Sequence, residues 1–171
     1  CSGGGGGGGG GDAAGAVVGT LIDARSGAPV AGASVRVGER VVQTNEQGYF
    51  TLDGLAAGEA ARLRITHPER PATVKLVTPR AGASTYVRWR LLAFEATAQF
   101  DAAQGGEIGA RGARVVFPAG AVGATGTVTA RLAYLDATQP GELAAFPGDF
   151  RTDRGGQLER GAGGRGPIRR G

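Results

Sequence analysis

Short runs of alternating apolar and polar residues occupy positions 17–94, and Gly, Pro and Asn turns separate them. This two-residue period is typical of β-strands that bury one face. The longest run is 85–94, in which Val87, Trp89 and Leu91 share one face. Seven strands are predicted in all, at 17–23, 33–37, 41–43, 49–52, 62–66, 73–77 and 85–94. Seven short strands over about 80 residues have the size of a β-sandwich, so the predicted fold class is all-β.

The phase of the alternation predicts which side chains face the core. In the fourth predicted strand Phe50 lies on the apolar face, and we expect it at the centre of the core. In the fifth, Leu63 and Ile65 are expected to face inward, and the arginines that alternate with them are expected to face solvent. In the sixth, Val74 and Leu76 are expected to face inward.

Three pieces of the sequence resemble the carboxypeptidase regulatory-like domain: GTLIDARSGAPVAGASVRV at 19–37, TNEQGYFTL at 44–52 and GL at 54–55. Turn residues and strand order agree across the similar stretch, which covers residues 15–94. The resemblance implies a seven-stranded, Greek-key, transthyretin-like β-sandwich. It also implies a folding, spacing or binding role, because in enzymes that carry this module the zinc site belongs to a separate catalytic domain.

A weaker β pattern continues through residues 95–150. Strand-like runs lie at 96–100, 113–117 and 127–135, and the second of them leads into the turn sequence VVFPAGAV. An apolar strand followed by this turn and another strand is similar to the start of a ZU5-like β-domain. The segment is shorter than such a domain requires, so we expect a partial β module.

Glycine and arginine dominate the two ends of the chain. Residues 3–11 are all glycine, which predicts a flexible tether, although a low-complexity tract without a selected length is an alternative. Residues 151–171 lack alternation and are predicted to be a disordered basic tail. They carry six arginines and two acids, which accounts for the whole net charge of +4. A shifted reading frame is an alternative explanation of this composition.

Cys1 is the only cysteine, so no disulfide can form within the chain. A chain that begins Cys-Ser resembles a bacterial lipoprotein after its signal peptide is removed, in which the cysteine carries acyl chains such as palmitate. This resemblance predicts that residues 1–14 are a lipidated cysteine with its tether. It implies membrane attachment in the bacterial cell envelope, at the outer membrane because Ser2 follows. An arbitrary fragment boundary is the alternative.

Catalytic motifs are sparse in this sequence. His67 is the only histidine, and the patterns HExxH, GxSxG and GxxxxGK[ST] are absent, so we predict no catalytic residue, no metal site and no cofactor. His67 is expected to be an ordinary loop residue. The acids between 45 and 53 lack the spacing of a calcium loop. An enzyme with its site in 95–150 is the weakest alternative.

Tyr86, Arg88 and Arg90 share the polar face of the last predicted sandwich strand and form a candidate ligand face. Together they could stack on a sugar or pair with a carboxylate, but an ordinary solvated face is the alternative. The arginines of the tail lack interleaved aromatics, so no nucleic acid partner is predicted. The sequence favours a noncatalytic, membrane-anchored lipoprotein whose sandwich is a scaffold or protein-binding module. A starch-binding-like carbohydrate module is the second hypothesis.

Overall fold

The computed structural model describes residues 14–145, and this part of the chain is built almost wholly from β-strands. Cys1, the glycine run and the predicted tail lie outside the described residues. The elements follow in the order β1 Gly15–Asp23, β2 Ser34–Val37, β3 Arg40–Gln43, β4 Tyr49–Leu55, β5 Ala61–His67, β6 Arg70–Val77, β7 Ser84–Leu91, β8 Ala96–Asp101, β9 Gly106–Ala110, β10 Ala113–Phe117, β11 Thr127–Leu132 and α1 Pro140–Leu143.

The first seven strands form two sheets that enclose one core. One sheet has three strands in the order β4-β1-β7, and the other has four in the order β3-β2-β5-β6. All pairs are antiparallel except β1 and β7, which run parallel. The predicted β-sandwich and each of its seven strands are therefore confirmed, although β7 ends at Leu91 rather than at residue 94.

The core between these sheets is formed by the inward residues of both. Phe50 is 3% exposed, and its ring stacks on that of Trp89 with the centroids 6.1 Å apart. Both positions agree with the predicted faces. Leu63 and Ile65 of β5 are buried as expected, and full burial of such a side chain stabilises the fold by about 1.5–3 kcal/mol. The remaining buried members are Val17, Leu21, Val30, Ala33, Val35, Leu52, Leu55 and Leu91.

A glycine is required in the turn that leads into β4. Gly48 has φ 71°, a conformation that side chains disfavour, and a Cβ there would collide with the carbonyl oxygen of Leu21. Asn45 shapes the same turn, because its Oδ1 accepts hydrogen bonds from the N–H groups of Gln47 at 3.1 Å and Tyr49 at 2.8 Å. This turn delivers Phe50 to the core.

The predicted phase of β6 is wrong. Thr73 is 2% exposed, whereas Leu76 is 45% exposed and lies on the outer face with Val74. Pairing with β5 sets this phase, since Thr73 lies opposite the buried Ile65. Apolar residues occur on both faces of this strand, so its sequence pattern alone leaves the phase open. The hydroxyl of Thr73 donates to the carbonyl of Pro71 at 3.1 Å, which lets it be buried.

The last four strands form two small antiparallel sheets, β8 with β11 and β9 with β10. We call residues 95–145 the second β unit. The rings of Phe100 and Phe117 stack with their centroids 5.1 Å apart, and Ile108 of β9 is buried. The sequence pattern missed β9, because Ile108 is its only large apolar residue. The strand predicted at 127–135 ends at Leu132, and the ZU5-like resemblance stays a prediction.

The second β unit packs against one end of the sandwich through a small apolar contact. Ala24, Leu92 and Ala145 are buried there, and Ala133 and Leu135 pack against them. Because these side chains are few and mostly small, the apolar contact contributes little free energy. Charged side chains also join the two parts, as described below.

Candidate functional site

The outer face of the four-stranded sheet carries an open groove of about 860 Å³. Arg36 of β2 and Arg62 and Arg64 of β5 line its centre, with Val41 of β3 and Val74 of β6 at its sides. We call this surface the basic groove.

Strand alternation and register place these arginines together. Leu63 and Ile65 of β5 point into the core, so Arg62 and Arg64 point outward from the same strand. Arg36 of the neighbouring strand β2 lies directly opposite Arg64. Three guanidinium groups therefore extend from the same face of two adjacent central strands.

The central arginines have few acidic neighbours. Arg36 Nη2 lies 3.7 Å from a carboxylate oxygen of Glu39, which is 99% exposed, and Arg36 Nε donates to the carbonyl of Gly38 at 2.8 Å. Among residues 14–145, no carboxylate lies within ion-pair distance of Arg62 or Arg64. At Arg62 and Arg64 the groove thus presents positive charge that no carboxylate among residues 14–145 pairs with, on planar donors that match carboxylate geometry.

The predicted ligand residues Tyr86, Arg88 and Arg90 lie on β7 of the other sheet, and the surroundings of Arg90 differ from those of the other two. Tyr86 is 76% exposed and Arg88 is also exposed on the outer face of β7. Arg90 is partly buried and donates to the carbonyl of Ala24 at 3.3 Å, so it is engaged by the protein. Tyr49, 48% exposed on β4, shares this face because β1 pairs with both strands. We call Tyr49, Tyr86 and Arg88 the tyrosine face.

Four charged side chains meet where the sandwich contacts the second β unit, and we call them the junction cluster: Arg25, Glu95, Arg111 and Glu142. Arg25 Nε donates to Glu142 Oε1 at 2.5 Å, and Arg25 Nη2 lies 2.5 Å from Glu95 Oε1. Arg111 Nε donates to the other oxygen of Glu95 at 2.6 Å. A recess of about 280 Å³ lined by Arg25, Arg111 and Glu142 borders the cluster. The sequence pattern gave no signal for this cluster, since its members lie far apart in the chain.

Both glutamates of the junction cluster are held ionised. Burial acts to raise the pKa of Glu95, but hydrogen bonds from Arg25 and Arg111 outweigh it and lower the pKa. The hydrogen bond from Arg25, followed by that from the N–H of Asp136, lowers the pKa of Glu142. In return, the bond to Glu142 raises the pKa of Arg25. Carboxylates with lowered pKa values are poor general acids near neutral pH, so this arrangement suits an ion-pair network.

Asp23 is a second strongly held carboxylate, at the end of β1. Its Oδ2 accepts a hydrogen bond from Arg70 Nη1 at 2.7 Å, and its Oδ1 accepts one from the N–H of Ser26 at 2.8 Å. Burial acts to raise the pKa of Asp23, but the hydrogen bonds from Ser26, Arg70 and Arg25 lower it to about 2. These bonds fix the turn that follows β1.

His67 lies at the turn between β5 and β6, where its Nδ1 accepts a hydrogen bond from the N–H of Glu69 at 3.2 Å. This contact agrees with an ordinary turn residue. Within residues 14–145, no three or more His, Cys, Asp or Glu side chains are grouped as metal ligands would be. The described range also contains no helix of the length and apolar character needed to span a bilayer.

Three solved structures resemble this chain at low sequence identity. A candidate membrane-associated protein of unknown function from Bacteroides fragilis is 21% identical, with a TM-score of 0.40, over 49% of this chain and 29% of its own. The TIE protein of Bacillus anthracis is 14% identical, with a TM-score of 0.43, over 71% and 26%. A candidate carbohydrate-binding protein from Bacteroides uniformis is 11% identical, with a TM-score of 0.35, over 58% and 48%. This chain spans less than half the length of each.

Comparison with curated proteins finds no match. The sequence profile of the carboxypeptidase regulatory-like domain family does match, over residues 16–92. That range begins at the second residue of β1 and ends one residue after β7, so it contains β2 to β7 whole and all of β1 except Gly15. Residues 16–92 of this chain are therefore a carboxypeptidase regulatory-like domain.

Proposed function

We propose that this protein is a noncatalytic binding module of the bacterial cell envelope, tethered to the membrane by acyl chains on Cys1. The observation that carries the binding role is the basic groove, an open face on a sheet whose other face is sealed by the core. Its charged groups are all arginines, whose guanidinium groups offer hydrogen-bond donors and no acceptor. Such a set of side chains suits recognition of an anion better than proton transfer.

The proposed anchor would hold the sandwich at the membrane. Several acyl chains on one cysteine anchor a protein stably, whereas one chain is marginal. The sandwich would thus remain near the membrane.

Mass spectrometry of protein isolated from native membranes tests the anchoring. We expect the N-terminal peptide to carry a diacylglycerol on the Cys1 thiol and an acyl chain on its amine. Cys1→Ser should release the protein from the membrane fraction. Ser2→Asp is the matched control, since it should keep the acyl chains and change only the membrane in which the protein resides. An unmodified amine and thiol at Cys1 would rule out the anchor.

A carbohydrate-binding role is the second proposal, and the tyrosine face favours it. Tyr49 and Tyr86 flank β1, with Cα atoms about 12 Å apart from strand spacing and a two-residue offset, so they could stack on separate sugar rings. A glycan array with the full chain is the test. Tyr86→Ala should weaken binding about tenfold, and Arg64→Gln on the opposite sheet should not. A negative array, or binding unchanged in Tyr86→Ala, excludes this role.

A further inference from the structure

We propose that the basic groove binds an extended acidic segment of a partner protein, with carboxylates at alternate residues. This inference rests on the proposed binding role and names the partner class. Arg62 and Arg64 lie two residues apart on β5, so their side chains leave the same face about 6.7 Å apart. An extended peptide repeats its own side chains on one face at the same interval. Alternate acidic residues therefore meet both guanidinium groups at once, in bidentate geometry.

The width of the groove also fits an extended chain. Register aligns Val41, Arg36, Arg64 and Val74 in one row across four strands, which spans about 14 Å at ordinary strand spacing. The cations occupy the middle of this row, and apolar side chains occupy both ends. Val41 is 52% exposed, so it can contact the apolar parts of a bound peptide. One or two extended strands fit this width.

Other occupants match the groove less well. Residues 151–171 of this chain carry six arginines and two acids, so their charge opposes docking in a positive groove. A bilayer surface is flat on this scale and meets the sides of the groove before its floor. Arg36, Arg62 and Arg64 form the centre of the recess, which favours a narrow ligand.

Two synthetic peptides of the same composition and charge test the proposal. One has four Glu-Thr repeats, and the other has four glutamates followed by four threonines. Binding to the full chain, residues 1–171, is measured by fluorescence anisotropy at about 50 mM salt, where charge pairs are only partly screened. We expect the alternating peptide to bind at least threefold more tightly than the block peptide.

Paired variants locate the binding. Arg62→Gln with Arg64→Gln should weaken binding of the alternating peptide about tenfold, as expected for two exposed charge pairs, and should abolish the preference between peptides. The matched control is Arg165→Gln with Arg169→Gln, which removes the same charge from the tail. It should weaken both peptides equally and keep the preference. The substituted side chains of β5 are exposed, and circular dichroism checks that the fold is kept.

Several results would contradict the proposed binding of an acidic peptide. Equal affinity for the two peptides, or an equal loss in both double variants, would show only diffuse attraction and overturn the proposal. The last measurement is binding to vesicles that contain phosphatidylglycerol. If Arg62→Gln with Arg64→Gln abolishes vesicle binding and leaves peptide binding intact, the occupant is a lipid surface and the proposal is wrong. The vesicle measurement uses the chain without acyl chains, and the peptide results do not depend on acylation of Cys1, so failure of the anchor and failure of this partner are distinguishable.

Discussion

Replacing Arg25 with alanine tests whether the junction cluster holds the second β unit against the sandwich. The guanidinium group of Arg25 bridges Glu95 and Glu142, and it also donates to the carbonyl of Tyr134 at 3.0 Å. Its removal leaves Glu142, whose side chain is 6% exposed, without a basic partner among residues 14–145. The apolar contact between the two units is small, so the expected result is partial separation of the units rather than unfolding of the sandwich.

The expected loss of free energy in Arg25→Ala follows from how far the ion pairs of Arg25 are buried. Removing one member of a fully buried ion pair typically costs about 3–5 kcal/mol. Arg25 is 28% exposed and the adjoining recess admits water, so screening reduces the expected cost to about 1–2 kcal/mol. That free energy corresponds to a roughly 5- to 30-fold larger population of the separated state.

Hydrogen exchange followed by mass spectrometry measures this population. At pH 7, Arg25→Ala should speed exchange by that factor in peptides covering 133–143, and should leave peptides covering β5 unchanged. Arg114→Ala is the control, because its ion pair with Glu107 is 67% and 59% exposed and should contribute less than about 0.5 kcal/mol. Wild-type exchange rates in Arg25→Ala would refute the reasoning.

The pH dependence adds a second readout. The pKa values of Glu95 and Glu142 lie below the ordinary value of 4.5, so their stabilising contribution is complete well above that value and is lost as the pH falls through the lowered pKa values. Part of this contribution depends on Arg25. The difference in exchange between wild type and Arg25→Ala should therefore be largest above pH 5 and shrink on acidification. A difference that grows toward pH 3 would contradict the ion-pair mechanism.

Three further predictions concern the sandwich, each measured as the free energy of unfolding in urea by the fluorescence of its single tryptophan. Phe50→Ala should cost about 3–5 kcal/mol, because it empties the centre of the core, whereas Tyr49→Ala on the outer face should cost less than about 1 kcal/mol. Gly48→Ala should cost more than Gly38→Ala: both glycines have positive φ, but only at Gly48 does a Cβ collide with a backbone carbonyl. Asp23→Asn should remove about 1–2 kcal/mol of stability at pH 7, after allowance for solvent screening. This difference should vanish as the pH falls from about 4 to 2, because the contribution of Asp23 depends on its ionisation and its pKa is lowered.

Local sequence carried most of the information about the sandwich. Phe50 and Trp89 occupy the core, as strict alternation predicted, because a strand with one apolar and one polar face has a single favourable orientation. Strand β6 was assigned the wrong phase, because apolar residues occur on both of its faces and leave the alternation ambiguous. Strand β9 was missed, because one isoleucine among small residues carries no periodic signal.

The candidate binding surfaces were predictable only in part. Alternation in β5 directs Arg62 and Arg64 to solvent, and the same rule exposes Tyr86 on β7. Arg36 lies opposite Arg64 only because β2 pairs with β5. Arg90 was grouped with the ligand face, yet in the folded chain it donates to a backbone carbonyl, a contact between residues 66 positions apart.

The amino-acid sequence by itself determined the class of fold, the number of sandwich strands, the turns that require glycine and the faces of the strongly alternating strands. These features depend on local backbone preferences and on a two-residue period, which act over a few neighbouring residues. Only the tertiary structure decided the phase of β6, the row of side chains across the basic groove and the junction cluster. Arg25 and Glu142 are 117 positions apart in the chain. Strand register and the packing of the two units decide which distant residues meet, and no local sequence pattern reports on either.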